Sequence, residues 1–280
     1  MGGPRAVLIT GCSSGIGQCA ARGLAARGYR VFATARQAAD VAALAATGLE
    51  ALALDLDDPD SIQAATEEVL RRTAGAVYGV FHNGGYQQPG AVEDLSRAAL
   101  RAQFETNVFG GLDVINRLLP AMRARGEGRV VINSSVLGLV ALPYRGAYNA
   151  TKFALEGLAD TLRLELAGSG VHVSLIEPGP IRSQLRARAH AAFTTHIDIR
   201  RSAHRDAYRR LEARLARRGP AAPFTRPPEA VLAKLIQALE RRRPKPRYYV
   251  TFPTHLFAVL RRLLSHRALD RVLLRIARGE

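Results

Sequence analysis

From residue 6 onward, short apolar runs alternate with longer stretches of helical periodicity. AVLIT (6–10), YRVFATA (29–35), EALALD (50–55), VYGVFH (77–82), RVVINSS (129–135) and VHVSLIEP (171–178) are nearly continuous in apolar character. Such runs read as strands buried on both faces. The intervening segments predict helices to about Arg27, near 37–46, after Asp57-Asp58-Pro59-Asp60, over about 97–125 and over 147–167. Acidic residues and a proline suit the first turn of the third of these. Alternation of this kind implies βαβ units, parallel pairing and right-handed crossovers. The expected fold is α/β: a Rossmann-like, doubly wound parallel sheet of about seven strands with helices on both faces.

The last hundred residues read less regularly. Residues 184–226 form a long segment with no evident strand, of the kind that covers active sites. Prolines cluster at 220–228 and 244–253, as turns between helices. RYYVTF (247–252) is a candidate last strand. Residues 255–278 predict one basic amphipathic helix, with Leu256, Leu260, Leu263, Val272 and Ile276 near helical spacing. We read residues 1–250 as one domain and 251–280 as a helical extension. There is no internal repeat and no low-complexity linker.

Composition narrows the function classes. The 280 residues are 48% hydrophobic and 23% charged, as in an ordinary globular protein. Two cysteines, Cys12 and Cys19, point to a reducing compartment, so a cytoplasmic location is expected. The first strand-like run starts by Ala6, so no signal peptide is expected, and no apolar run reaches the roughly 18 residues of a membrane span. Net charge is +16, unevenly placed: residues 181–280 carry 24 basic and 7 acidic side chains. That asymmetry raises nucleic-acid and membrane-surface readings. No nucleic-acid motif accompanies it, so specific nucleic-acid binding is not expected. Peripheral association of the C-terminal helix with anionic membrane stays open beside a merely solvated basic face.

Four features carry chemistry. Thr10-Gly11-Cys12-Ser13-Ser14-Gly15-Ile16-Gly17 joins the first strand to the first helix, where glycines and a helix N-terminus can cradle a pyrophosphate. Arg36 ends the second strand, where a carboxylate would otherwise meet an adenosine ribose; a guanidinium there suits a 2′-phosphate, and so NADP(H). Tyr148 and Lys152 stand one helical turn apart. Of 40 basic side chains only Lys152, Lys234 and Lys245 are lysines. A compact ammonium beside a phenol stabilises the phenolate. Ser135 closes the fifth strand, at the sheet edge where ligands bind, and can donate to a substrate carbonyl oxygen.

These motifs, with Asn107 in TNVFG and Pro178-Gly179, resemble the short-chain dehydrogenase/reductase family of the classical type over residues 5 to about 183. Finer details resemble a bacterial branch of NADP-dependent aldehyde reductases, similar also to 17β-hydroxysteroid and retinol dehydrogenases. The resemblance implies Tyr148 as general acid or base, Lys152 lowering its pKa and holding the nicotinamide ribose, and Ser135 orienting the carbonyl. It implies Asn107 as holder of a water in a proton relay. Gly11, Ser13, Ser14, Gly15, Ile16 and Gly17 would wrap the phosphates, and Asp55 and Leu56 would meet adenine. Asn83 would support the adenosine side, and Pro178, Ile181 and Ser183 the nicotinamide. No metal is expected. The family's Asn-Asn-Ala-Gly is His82-Asn83-Gly84-Gly85 here, a change expected to loosen that strand end. Phe193, Ile197, Ile199 and Phe224 suggest a hydrophobic pocket for an aldehyde, or for a steroid or retinoid. A homodimer or homotetramer is implied by pairing of the helices near 100–125 and 148–167. A binding module without chemistry is the rival, disfavoured by retention of Ser135, Tyr148, Lys152 and Asn107.

Overall fold

The computed structural model describes residues 3–217, 219 and 222–279. In chain order the elements are β1 (Ala6–Ile9), α1 (Gly15–Ala26), β2 (Arg30–Ala35), α2 (Ala38–Ala45), β3 (Glu50–Ala53), α3 (Pro59–Thr73), β4 (Val77–His82), α4 (Arg97–Phe104), α5 (Gly110–Arg125), β5 (Gly128–Asn133), α6 (Gly146–Glu165), β6 (Val171–Glu177), α7 (Leu185–His196), α8 (Arg205–Ala216), α9 (Glu229–Glu240), β7 (Arg247–Tyr249), α10 (Phe252–Leu263) and α11 (His266–Gly279). Among the described residues seven strands form one sheet in the order β3-β2-β1-β4-β5-β6-β7, every neighbouring pair parallel. The order reverses between β1 and β4, which opens a crevice at the C-terminal strand ends.

The apolar strands bury both faces by simple alternation. Leu8, Val80, Val130 and Ile132 pack one way, against Ile62 and Val69 of α3, Ile115 and Leu118 of α5, and Leu155 of α6. Val7, Ile9, Phe81 and Val131 pack the other way, against Leu24 of α1 and Val231, Leu235 and Leu239 of α9. Helix starts follow local chemistry. Asp58 accepts from the Asp60 amide at 3.0 Å with Pro59 in the first turn of α3, and Ser96 accepts from the Ala99 amide at 3.1 Å before α4.

Four expectations are corrected. The helix expected over 97–125 is interrupted by a π-turn at Glu105–Phe109. The segment 184–226 is largely helical, as α7 and α8. These two helices share a small core with the body: Phe193 and Tyr208 meet edge to face with centroids 5.3 Å apart. Ala189, Ile197, Leu211 and Leu215 extend it and Ala91, Leu95 and Ala147 close it, with Ile199 alongside. The last strand is shorter than RYYVTF, because Thr251 and Phe252 already enter α10. The C-terminal helix is two helices. Leu264 is extended (ψ 143°), and Ser265 restarts the helix through its hydroxyl, 3.4 Å from the Ala268 amide. Phe257, Ala258 and Leu273 of this extension pack on Leu139 and Val140 behind β5.

Candidate active site

The glycine turn after β1 is shaped by backbone proximity. Gly11 and Gly15 have φ of +71° and +57°, conformations that favour glycine. A Cβ on Gly11 would lie 2.7 Å from Gly84 Cα, and one on Gly17 would collide with the Gly11 carbonyl and the Asn83 amide. Thr10 Oγ1 accepts from the Asn83 and Gly84 amides at 2.9 and 2.8 Å. Asn83 Nδ2 donates to the Thr10 and Gly11 carbonyls at 3.1 and 3.2 Å, while its Oδ1 accepts from Asn133 Nδ2 at 3.0 Å. Asn83 therefore ties the C-terminal ends of β1, β4 and β5 together.

The next link is Lys152. Its Nζ donates to the Asn133 carbonyl at 2.8 Å and lies 5.4 Å from the centroid of the Tyr148 ring. Tyr148 and Lys152 thus share the inward face of α6, both buried. Ser135 projects from the end of β5; its Oγ accepts from the Leu137 amide at 3.1 Å, and it lines the same cavity as Tyr148. Burial raises the Tyr148 phenol to about 12, with Ser135 opposing. Burial also lowers the Lys152 ammonium to about 8, with Glu156 opposing. Desolvation is thus the larger influence on the phenol, and Ser135 the one that opposes it.

Asn107 sits in the π-turn, and its bonds explain why the turn is there. Its Oδ1 accepts from the Tyr86 amide at 3.0 Å, and its Nδ2 donates to the Tyr86 carbonyl at 2.9 Å and Thr151 Oγ1 at 3.3 Å. The wider turn aims this side chain at the loop after β4, as π-bulges often do at functional sites. His82 does not loosen the strand end. It is buried, its Nε2 donates to the Asn107 carbonyl at 3.1 Å, and its Nδ1 lies 3.5 Å from Thr10 Oγ1. Since Thr10 Oγ1 already accepts two amides, its proton points to Nδ1, which fixes the tautomer. Gly111 makes room: a Cβ there would overlap the imidazole. Burial, with Lys152 nearby, lowers the His82 pKa to about 4 against the pull of the Asn107 bond.

A cavity of about 740 Å³ is lined by Gly11, Ser14, Gly15, Ile16, Asn83, Ser135, Tyr148, Lys152, Pro178, Ile181 and Ser183. Gly17 and Asn107 stand just behind this wall. Arg36 lies at the sheet edge outside it, its side chain 61% exposed, with Nε 3.9 Å from Asp55 Oδ2. Leu56 is buried against Gly84 and Gly110. Of the apolar residues expected in the pocket, Phe193 and Ile197 serve the core of α7 and α8, and Phe224 stacks on Phe252 with centroids 5.2 Å apart. The apolar lining comes instead from Val136, Leu137, Leu142, Ile181, Leu185 and Leu215. The sequence showed His82 only as a departure from a motif and gave no sign of the partners that hold it.

A family model described as short chain dehydrogenase matches residues 5–193. The chain belongs to the short-chain dehydrogenase family. An uncharacterized oxidoreductase of Escherichia coli, YbbO, is 43% identical over 269 residues, covering 96% of this chain and 94% of that protein. Human 17-beta-hydroxysteroid dehydrogenase type 1 is 41% identical over 189 residues, covering 63% and 57%. An NADPH-dependent 3-dehydrocapnine reductase of Ornithobacterium rhinotracheale is 29% identical, covering 96% and 95%. Among solved structures, a short-chain dehydrogenase from Streptomyces avermitilis superposes with TM-score 0.77 at 30% identity, covering 100% and 99%. An actinorhodin polyketide ketoreductase with NADPH (TM-score 0.69, 28% identity, 84% and 90% covered) and a Burkholderia phymatum enzyme with NAD (0.76, 25%, 96% and 95%) are similar too.

A dinucleotide fits this short-chain dehydrogenase site. The glycine turn leaves room that any Cβ would fill. Ser14, at the N-cap of α1, makes no side-chain cap, so the helix N-terminus is open toward the cavity for an anion.

His82 makes a testable contribution to stability. Its folded pKa of about 4 lies below the unfolded value near 6.5. The unfolded chain binds more protons between these values, so stability falls as pH drops from about 6.5 toward 4. Removing the imidazole in His82→Asn should shrink the pH 7 to pH 4 difference in unfolding free energy by up to roughly 3 kcal/mol. Urea midpoints at the two pH values check this, and an unchanged difference refutes the buried, neutral assignment.

Proposed function

We propose that this chain is an NADP(H)-dependent reductase of carbonyl compounds, an aldehyde or ketone being converted to its alcohol. The observation that carries this reading is that Ser135, Tyr148 and Lys152 line one cavity, with Tyr148 and Lys152 on the same helical face. Bound nicotinamide supplies the hydride. Gly11, Ser14, Gly15, Ile16 and Asn83 would hold the dinucleotide beside the glycine turn, and Ile181 and Ser183 its nicotinamide end. Ser135 orients the carbonyl oxygen and meets its growing charge. Tyr148, with its phenol raised to about 12, is protonated at neutral pH and can deliver that proton to an alkoxide-like oxygen. Lys152, at about 8, is mostly charged at pH 7 and holds the ribose. Asn107 keeps a second carbonyl lone pair for a relay water. The mixed apolar lining suits aliphatic or aromatic aldehydes first and a steroid- or retinoid-type alcohol second.

Tyr148→Phe should lower turnover of aldehydes by about 10² or more while NADPH binds as before. Following absorbance at 340 nm and a fluorescence titration separates the two effects. Turnover near the wild-type rate sinks the assignment.

The NADP(H) preference rests on Arg36, an exposed guanidinium at the adenosine end of the cleft with no carboxylate in its place. Arg36→Asp should weaken NADPH by roughly tenfold or more and leave NADH less affected. A preference that does not move removes the 2′-phosphate role.

One observation favours a second property, docking on anionic membrane. Phe252, Leu256, Val259 and Leu263 share one face of α10 and are 58%, 38%, 53% and 75% exposed, opposite the buried Thr254, Phe257 and Ala258. Arg261 and Arg262 end that helix, and Arg267, Arg271, Arg275 and Arg278 follow on α11. Apolar side chains in a basic surround suit an anionic lipid surface; a second copy would oppose like charges. No described helix is long and apolar enough to cross a membrane. Co-sedimentation with vesicles containing phosphatidylglycerol, but not with phosphatidylcholine alone, is expected at low salt. Protein that stays in solution with both, as a dimer by light scattering, would assign the stripe to self-association. Exposed Phe109, in the π-turn before α5, and Leu158 and Leu164 on α6 also support a homo-oligomer.

A further inference from the structure

The contact between α7 and the glycine turn joins residues far apart in the chain. Arg188 Nη2 donates to Ser13 Oγ at 3.0 Å and lies 3.4 Å from Ser14 Oγ. Both serines precede α1, and Arg188 and Ser14 line the same cavity. Serine at a helix start ordinarily caps the helix with its own oxygen; Ser14 does not and turns instead toward Arg188. A hydroxyl that accepts from a guanidinium still has its own proton to donate. Two hydroxyls, open amides of α1 and a guanidinium therefore converge at one point. A guanidinium offers five N–H groups in a planar fork suited to phosphate. The helix that carries it is placed independently. Arg186 Nη2 donates to the Gly219 carbonyl at 2.7 Å, Ala189 and Phe193 are buried, and Gln88 Nε2 reaches the Ala192 carbonyl at 3.4 Å.

Resting on the NADP(H) reading above, we propose that Arg188 is a phosphate ligand carried by the covering helix α7. Its guanidinium, with the hydroxyls of Ser13 and Ser14, binds a phosphate of the dinucleotide and fastens α7 over the cofactor. The same chemistry fits the pyrophosphate, common to both dinucleotides, and the 2′-phosphate, present only in NADP(H).

Arg188 is exposed, so Arg188→Ala should fold, and an unchanged thermal midpoint checks it; Arg188→Lys, which keeps the charge, is the companion variant. In fluorescence titrations Arg188→Ala should weaken NADPH about tenfold or more, with Arg188→Lys intermediate. Equal weakening of NADH assigns the pyrophosphate; weakening confined to NADPH assigns the 2′-phosphate. NADPH should also slow tryptic cleavage after Arg182 and Arg186 in the wild-type chain and in Arg188→Lys, and should protect much less in Arg188→Ala. Wild-type affinity for both dinucleotides together with full protection in Arg188→Ala overturns the proposal while leaving the reductase reading intact. Failure of the wild-type chain to bind either dinucleotide overturns that reading itself.

Discussion

The site depends on one hydrogen bond, from Lys152 Nζ to the carbonyl of Asn133 at 2.8 Å. A parallel sheet ends in carbonyls that the ladder does not use, and the buried ammonium of α6 is held by one of them. The bond sets the rotation and height of α6 against β5, and therefore where Tyr148 stands relative to Ser135. Asn133 is itself held by Asn83, and Asn83 by the carbonyls that open the glycine turn. A single chain of polar contacts so runs from Lys152, beside Tyr148, to the glycine turn. Such buried networks are rigid when satisfied and costly when broken.

Burial decides the protonation states along that chain. It pushes the phenol of Tyr148 up and the ammonium of Lys152 down, and it holds His82 neutral. Under the reductase proposal this suits the task. The phenol needs to keep its proton until charge grows on the substrate oxygen, and the alkoxide is the stronger base. A low-dielectric pocket with two preplaced donors then acts chiefly on the transition state.

Around this centre the structure separates rigid from covering parts. The sheet and its flanking helices carry the polar chain, with β7 held to them by Arg247, which reaches Glu156 at 3.0 Å, Asp160 at 2.8 Å and Glu177 at 3.1 Å. Burial and repulsion from neighbouring carboxylates raise both the Glu177 and Glu156 carboxyls, against the pull of Arg247. The covering helices α7 and α8 share a small core with Ala91, Leu95 and Ala147 of the body, and Leu215 of that core also lines the cavity.

The chain's own pattern determined the sheet, its parallel pairing and the proposed catalytic set. Apolar runs of strand length between amphipathic stretches leave few topologies, and Ser135, Tyr148 and Lys152 are set by short-range spacing on a strand end and one helical face. Other features were decided only in three dimensions. A π-turn replaced a continuous helix because Asn107 had to reach the backbone of Tyr86. His82 tightened the strand end because Thr10, Asn107 and Gly111 met around it. Phe193 went to a local core because its partner was Tyr208, one helix further on. Arg188 became a neighbour of Ser13 although 175 residues separate them. Local periodicity records which face a residue buries; it does not record which distant group will meet it there.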